Sequence, residues 1–257
     1  MDRYELKRVR YQNLVRKVQQ SYPRRCDVCD DGGIRLFRCD ECEKEINLWT
    51  YWQGHNHLDA KIMLVGQDWG SAFDASSQAT INQVALANEG KPYRYFEDNQ
   101  SLTDKNLVEL FRVLNNLDIT QPNPDLFFTN FVLGYRSKGC SGKFDKNWIV
   151  HDTPFFYELV NIIEPSVILC LGRITFESVI STFSNAKTIR IRNYNLFIES
   201  DDNPIKIVLD SGKVVYVFAL AHCGALGTMN RNRGKDRQTD TLKIQKEDWQ
   251  RILPYLN

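Results

Sequence analysis

Four cysteines near the N-terminus have the spacing of a metal site. They form two C-x-x-C pairs separated by nine residues: Cys26, Cys29, Cys39 and Cys42. A tight turn in each pair can point both sulfurs inward, so that four thiolates close a tetrahedron around Zn²⁺. The pattern predicts a structural zinc unit over residues 26–57, with unrelated buried or free cysteines as the alternative. His55 and His57 could replace a ligand, but two complete pairs make that unnecessary.

Three polar residues occur at or near the ends of apolar runs that predict buried strands: Asp68, Asn130 and His222. Carboxyl ends of parallel strands share one edge of a sheet, and ligands bind there in open α/β folds. One fold would therefore bring a carboxylate, an amide and an imidazole together. Each residue also has a structural interpretation: Asp68 could cap a helix, Asn130 could bond a neighbouring backbone, and His222 could be a buried structural histidine.

The elements that would position these residues alternate between strand and helix from Leu58 onward. Buried strands are predicted at 62–65, 126–133, 167–171 and 214–221. Helices are predicted at 102–117, from Thr153 and Pro154 to about 164, from about 174, and at 241–256, with a β-like hairpin within 187–211. This alternation predicts an α/β domain over residues 58–257, with a mainly parallel central sheet flanked by helices.

Charge is distributed unevenly, although 33 basic and 32 acidic residues nearly balance. Residues 1–25 read as a basic amphipathic helix, and the run from Arg231 to Arg237 carries four basic residues and one acid. Such segments suit phosphate, although a solvated face is the usual alternative.

No apolar run is long enough to span a bilayer, and the charged N-terminus does not resemble a signal peptide. We therefore expect a cytoplasmic protein without a membrane partner, and its thiols to be reduced.

Five short motifs, in order, resemble those of the uracil-DNA glycosylase superfamily. Gly66-Gln67-Asp68-Trp69-Gly70 looks like a hybrid of the family's Gly-Gln-Asp-Pro-Tyr and Gly-Glu-(small)-Pro-Gly. Gly90-Lys91-Pro92-Tyr93 is similar to Gly-(basic)-Pro-Phe, and Thr129-Asn130, followed by Arg136, is similar to the family's Thr-Asn at a strand end. The stretch from Pro165 to Gly172 resembles Pro-x-(apolar)-Leu-Gly, and His222 to Leu226 is similar to His-Pro-Ser-Pro-Leu. The resemblance covers roughly residues 58–237.

The resemblance implies a DNA glycosylase, which hydrolyses the N-glycosidic bond of a flipped-out base and leaves an abasic site. Asp68 would orient or deprotonate the attacking water, and His222 would stabilise the departing base anion. The implied base-binding residues are Gln67, Trp69, Tyr93 and Asn130. The implied DNA contacts are an apolar wedge from Leu226 or Met229, and phosphate contacts from Arg231, Arg233 and Lys235. Tyr93 could instead be an ordinary loop aromatic, and the two wedge candidates could pack beneath their loop.

Departures from the family pattern bear on cofactor and substrate. Tyr135 and the region of Asp152 and Thr153 stand where the iron–sulfur branch has cysteines, so no iron–sulfur cluster is expected and the N-terminal quartet is a separate zinc unit. Trp69 replaces a proline, and Cys223-Gly224 replaces Pro-Ser. The altered motifs suggest a base other than uracil, such as a modified pyrimidine of phage DNA, including glucosylated hydroxymethylcytosine, in an antiviral role.

Other functions remain open at the level of sequence. One is a uracil-DNA glycosylase of base-excision repair, and another is a non-catalytic DNA-binding or sensing protein on the same fold. A nucleotide-binding protein acting on small molecules is disfavoured, because neither G-x-G-x-x-G nor a Walker sequence occurs. DNA is the expected partner, and a monomer is the expected state.

Overall fold

A five-stranded central sheet organises the protein in a computed structural model that describes residues 2–21, 34–35, 57–68, 102–120, 125–133, 135–136, 146–183, 190–235 and 240–256. The strands are β1 (Ile34–Arg35), β2 (Ile62–Gly66), β3 (Leu126–Asn130), β4 (Tyr135–Arg136), β5 (Val167–Leu171), β6 (Ile205–Val208) and β7 (Val214–Leu220). The α-helices are α1 (Arg3–Ser21), α2 (Leu102–Arg112), α3 (Lys146–Ile163), α4 (Arg173–Thr182), α5 (Tyr194–Glu199), α6 (Ala225–Arg231) and α7 (Lys243–Gln250). A short 3₁₀ helix follows at Leu253–Tyr255.

The strand order in the central sheet is β3-β2-β5-β7-β6. The first four strands are parallel, and only the edge strand β6 runs antiparallel, paired with β7. β5 is buried along its whole length and β2 along all but its last residue, as expected for strands covered on both faces. The predicted α/β architecture with a mainly parallel sheet is confirmed.

Helices bury two separate apolar layers against the faces of the sheet. One layer combines side chains of α1, α3 and α4 with the sheet, including Leu14, Phe156 and Phe176. The other is formed with α2 and α7, where the rings of Phe111 and Trp249 lie 5.0 Å apart edge to face. Helices thus enclose the strands and leave the strand ends as the place where polar groups can gather.

Helix α1, predicted as a basic amphipathic helix, contributes its apolar face to the core shared with residues 58–257. Tyr11, Leu14 and Val18 are fully buried there. Lys7 is also buried, and its Nζ donates to the carbonyl oxygens of Leu58 and Ile163 at 3.0 and 2.9 Å. Lys7 therefore anchors the helix to the amino-terminal side of the sheet and is not available to a phosphate.

Two predicted elements differ from the structure. Helix α3 begins at Lys146, so Thr153 and Pro154 lie inside it and do not start it. Pro154 removes one backbone donor, but buried Asp152 and Phe156 on either side attach this part of the helix to the core. Within the described residues 190–211, the first half of the predicted β-like hairpin is instead α5, because Asn193 caps a short helix by accepting bonds from the N–H groups of Asn195 and Leu196. The second half is a strand, β6, which pairs antiparallel with β7.

A small second sheet joins the cysteine-rich segment to the α/β domain. β1 pairs antiparallel with β4, with Ile34 opposite Arg136 and Arg35 opposite Tyr135. In sequence, β1 lies between the two cysteine pairs. The four cysteines themselves, Cys26, Cys29, Cys39 and Cys42, lie outside the described residues. In the part of the chain that is described, no helix is both long and apolar enough to cross a membrane.

Candidate functional site

The ends of β2 and β3 place an amide side chain directly over a glycine. Gly66 and Asn130 are register partners in the parallel pair. A Cβ on Gly66 would lie 2.1 Å from Oδ1 of Asn130, a distance that no real side chain tolerates. The absence of a side chain at residue 66 therefore lets the amide of Asn130 lie across the end of β2. Asn130 is half-buried, so its donor and acceptor stay within reach of a ligand.

Asp68 follows β2 at the point where the connections of the sheet change direction. The chain leaves β2 towards β3 on one side, whereas it leaves β5 towards β7 on the other side. The crevice between β2 and β5 is therefore the topological switch point, the usual ligand site in such sheets. The backbone pairing continues past the strand, since the N–H of Val132 donates to the carbonyl of Gln67 at 3.1 Å. The Gln67 side chain then donates to Oδ2 of Asp68 at 2.9 Å and orients this half-buried carboxylate.

The end of β5 leaves room between the strands that carry Asp68 and His222. Gly172 follows β5 with a φ of +95°, which L side chains rarely adopt. A Cβ on Gly172 would meet no described atom within 4 Å. Because β5 separates β2 from β7, the ends of those two strands are roughly 10 Å apart, twice the usual strand spacing. Among the described residues, no atom fills the space beside the Cα of Gly172.

His222 is held as a neutral imidazole with its proton on Nε2. The backbone N–H of Gly224 donates to Nδ1 of His222 at 2.9 Å, so Nδ1 must be the acceptor. The residue is exposed to solvent, yet neighbouring protein atoms displace enough water from the ring to lower the imidazole pKa below its ordinary value. The second nitrogen, Nε2, is thus a hydrogen-bond donor without a formal charge.

Three side chains hold the loop of His222 through its carbonyl oxygens. Nδ2 of Asn106, in α2, donates to the carbonyl of Cys223 at 2.6 Å. Nε2 of Gln245, in α7, lies 3.3 and 3.4 Å from the carbonyls of Ala221 and His222. Tyr194, in α5, donates to the carbonyl of Leu220 at 3.1 Å. No sequence pattern marks Asn106 or Gln245 for this role, because a polar residue beside an apolar helical stripe usually lies on a solvated face.

The loop after β3 is held by a buried carboxylate of α3. Asp152 is fully buried, and its Oδ2 accepts from the N–H of Leu133 at 2.6 Å. Nδ1 of His151 lies 2.6 Å from the other oxygen, and this hydrogen bond raises the pKa of His151 despite partial burial. The pair therefore ties α3 to the segment that begins at Asn130.

Helix α6 starts three residues after His222 and presents two apolar side chains to solvent. Leu226 is 72% exposed and Met229 is 56% exposed. Their i, i+3 spacing puts them on one face of the helix. Neither side chain packs beneath the loop, so both lie at the surface, as an apolar wedge requires. Arg233 and Lys235 are also exposed, with Nζ of Lys235 3.0 Å from Glu199.

The position of Arg231 does not fit the predicted phosphate contact. Its side chain is only 1% exposed. Its Nε and Nη2 donate to the two carboxylate oxygens of Asp248 at 2.7 Å each, and Nη1 donates to Glu199 at 2.8 Å. The guanidinium therefore joins α6 to α7 and α5 inside the protein. A cavity of about 570 Å³ adjoins this ion cluster, and its lining includes neither Asp68, Asn130 nor His222.

Several predicted site residues lie outside the described ranges. They are Trp69, Tyr93 and the four cysteines of the expected zinc unit. Within the described ranges, no group of three histidine, cysteine or carboxylate residues could hold a metal ion. Cys170 and Cys223 are buried, and burial raises the pKa of the Cys223 thiol to about 12. Neither thiol is therefore suited to act as a nucleophile.

In comparisons with known proteins, no family model matches the chain and no curated sequence matches it.

Proposed function

We propose that this protein is a DNA glycosylase acting at the crevice between β2 and β5. The observation that carries the proposal is the hydrogen bond from the Gly224 N–H to Nδ1 of His222, which leaves Nε2 as a donor on the same sheet edge as the carboxylate of Asp68. A glycosidic bond breaks more easily when a donor stabilises the departing base anion and a carboxylate stabilises the positively charged sugar. The resemblance of five ordered motifs to the uracil-DNA glycosylase superfamily supports the same conclusion.

The proposed reaction divides its charges between the two sides of the crevice. The bond from the sugar C1′ to the base nitrogen breaks, and its electron pair leaves with the base. Nε2–H of His222 donates a hydrogen bond to the base oxygen on which negative charge develops. Asp68 faces the positive sugar, orients a water for attack on C1′ and accepts the proton that this water loses. Water thereby supplies the new C1′–O bond and an abasic site remains.

In this proposal, the amide of Asn130 binds the base edge and recognises the base. An amide offers both a donor and an acceptor, which matches the mixed polar edge of a pyrimidine. Its position over Gly66 sets the amide at the end of β2, adjacent to the loop that carries Asp68. We propose a modified pyrimidine in foreign DNA as the substrate, such as glucosylated hydroxymethylcytosine, because Trp69 and Cys223-Gly224 depart from the motifs of enzymes that act on uracil.

An abasic-site assay on defined oligonucleotides tests the proposal. Substrates carry uracil, 5-hydroxymethylcytosine or its glucosylated form, and products are cleaved at abasic sites and separated by size. We expect product from one substrate, and its loss in Asp68→Asn. Asp125→Asn is the matched control, because Asp125 is a half-exposed aspartate at the amino end of β3, paired with Lys61. Absence of product from every substrate, with DNA still bound, would contradict a glycosylase and favour a non-catalytic reader.

We further propose that the four N-terminal cysteines hold a structural zinc ion. The zinc unit would brace β1, which pairs with β4 shortly after the Asn130 loop. Cys39→Ser should abolish stoichiometric zinc in the purified protein, measured by elemental analysis. Cys140→Ser should leave the zinc content unchanged, since Cys140 is outside both C-x-x-C pairs. Equal zinc contents in the two variants would exclude this ligand set.

A further inference from the structure

A second surface segment, residues 190–196, lies at the same sheet edge as the candidate site. Its sequence, RIRNYNL, contains two arginines and no acid. Nη2 of Arg173, the first residue after the β5 glycine, donates to the carbonyl of Ile191 at 2.8 Å. The hydroxyl of Tyr194 donates to the carbonyl of Leu220, the last residue of β7. The segment is thus attached near the carboxyl ends of two central strands, next to the crevice.

The same segment is joined to α6, which carries the wedge candidates. Nδ2 of Asn195 donates to the carbonyl of Asn230 at 2.9 Å. Leu196 follows Asn195 and is 64% exposed, and Met229 precedes Asn230 and is 56% exposed. The hydrogen bond therefore joins α5 to α6, and each of these helices carries an exposed apolar side chain next to the bonded residue.

The segment and the residues that follow α6 carry exposed basic side chains. Arg190, Arg192 and Arg233 are exposed, and none forms an ion pair within the described part of the chain. The nearby carboxylate of Glu199 is already engaged by Arg231 and Lys235. A surface that carries exposed guanidinium groups and exposed apolar side chains complements a polyanion with a partly apolar groove, as in duplex DNA.

We propose that residues 190–196 extend the DNA-contacting surface of α6. Arg190 and Arg192 contact backbone phosphates beyond the crevice, and Leu196 packs beside Met229 against sugar and base edges. The inference rests on the proposed function for its choice of DNA as partner. It adds a binding surface formed by the segment between α4 and β6, which is not part of any of the motifs that suggested a glycosylase.

Salt-dependent binding to an unmodified duplex tests this surface without any catalytic step. We expect Arg190→Gln/Arg192→Gln to reduce the slope of log K against log salt by about 2, since each lost phosphate contact removes about one. The matched control is Arg3→Gln/Arg8→Gln, which removes two exposed arginines from the end of α1 remote from the crevice. The control should leave the slope unchanged. Leu196→Ser should weaken binding several-fold at an unchanged slope.

The outcomes separate this surface from the proposed reaction. If the slope of log K against log salt falls only in Arg190→Gln/Arg192→Gln, the result supports DNA contact by residues 190–196, even if no base is excised from any substrate. An unchanged slope in that variant overturns the surface, even if the abasic-site assay shows excision. Equal reductions in the 190/192 and 3/8 variants would also overturn it, because the effect would then come from total charge. No binding of the parent protein to DNA would exclude DNA as the partner.

Discussion

The Oδ1 atom of Asn130 occupies the space that a side chain at residue 66 would need. A Cβ on Gly66 would lie 2.1 Å from that oxygen and 3.3 Å from Cγ of the same amide. Because the two residues are register partners in β2 and β3, their backbones cannot separate without disrupting the sheet. The amide must therefore move if residue 66 gains a methyl group.

Gly66→Ala should impair recognition of the base while preserving the fold. The methyl group displaces the Asn130 amide, and loss of a two-point hydrogen bond of this kind costs about 1–3 kcal/mol, or roughly 5- to 150-fold in kcat/KM. The measurement is kcat/KM on the cleaved substrate, with thermal unfolding recorded in parallel. In an Asn130→Ala background, Gly66→Ala should reduce kcat/KM little further. Full additivity of the two losses would show that Gly66 does not act through Asn130.

Activity should persist below the ordinary histidine pKa. The folded protein lowers the pKa of His222 from 6.5 by removing water from the ring, and the N–H of Gly224 occupies Nδ1. The neutral donor form is therefore present above the lowered pKa, and activity falls only as pH drops through it. The acid limb of kcat/KM against pH should have its midpoint below 6.5 and should be absent in His222→Gln. Imidazole nitrogen shifts from NMR should report an Nε2-protonated ring.

Asn106→Ala should uncouple the His222 loop from α2. The change leaves the buried carbonyl of Cys223 without this donor, which should cost about 1–3 kcal/mol in unfolding free energy. Because the loop carries His222, kcat should fall while KM changes little. Asn161→Ala is the matched control, since this buried amide of α3 likewise donates to a backbone carbonyl, that of Tyr157, and accepts from the N–H of Asp210. A similar loss of kcat per folded molecule in the control would argue against a positioning role for Asn106.

Arg231→Gln should destabilise the protein without reducing the salt dependence of DNA binding. The change leaves the buried carboxylate of Asp248 without its guanidinium partner, a loss of about 3–5 kcal/mol for pairs of this kind. Arg233→Gln removes an exposed charge two residues later, and should reduce the salt slope by about 1 with little effect on urea unfolding. The reverse pattern, with the slope changed only in Arg231→Gln, would contradict the buried position.

The contribution of His151 to stability should be greatest at acid pH. Its hydrogen bond to Asp152 raises the folded pKa above 6.5, so the folded state binds the proton more tightly than the unfolded chain. The stabilisation is complete below 6.5 and is lost as pH rises through the raised pKa. Urea unfolding should therefore show a larger cost of His151→Gln at pH 6 than at pH 8. For His222→Gln the cost in unfolding free energy should instead be smaller at pH 6 than at pH 8, because the folded pKa of that residue is lowered.

The sequence by itself determined the four parallel strands of the central sheet and the residues at their carboxyl ends. Continuous apolar runs at 62–65 and 167–171 have little alternative to burial on both faces, and the helices between the strands favour parallel pairing. Asp68, Asn130 and His222 could be assigned to one edge because strand direction alone decides which end of each strand they occupy.

Only the tertiary structure decided how the surrounding residues are used. Arg231 and Arg233 are indistinguishable as members of a basic run, yet one is buried against Asp248 and the other faces solvent. The stretch 187–211 is β-like in sequence, but the cap at Asn193 and the buried side chains of Phe197 and Ile198 favour a helix at Tyr194–Glu199. These outcomes depend on which distant groups become neighbours on folding, and the order of residues along one segment carries no information about those neighbours.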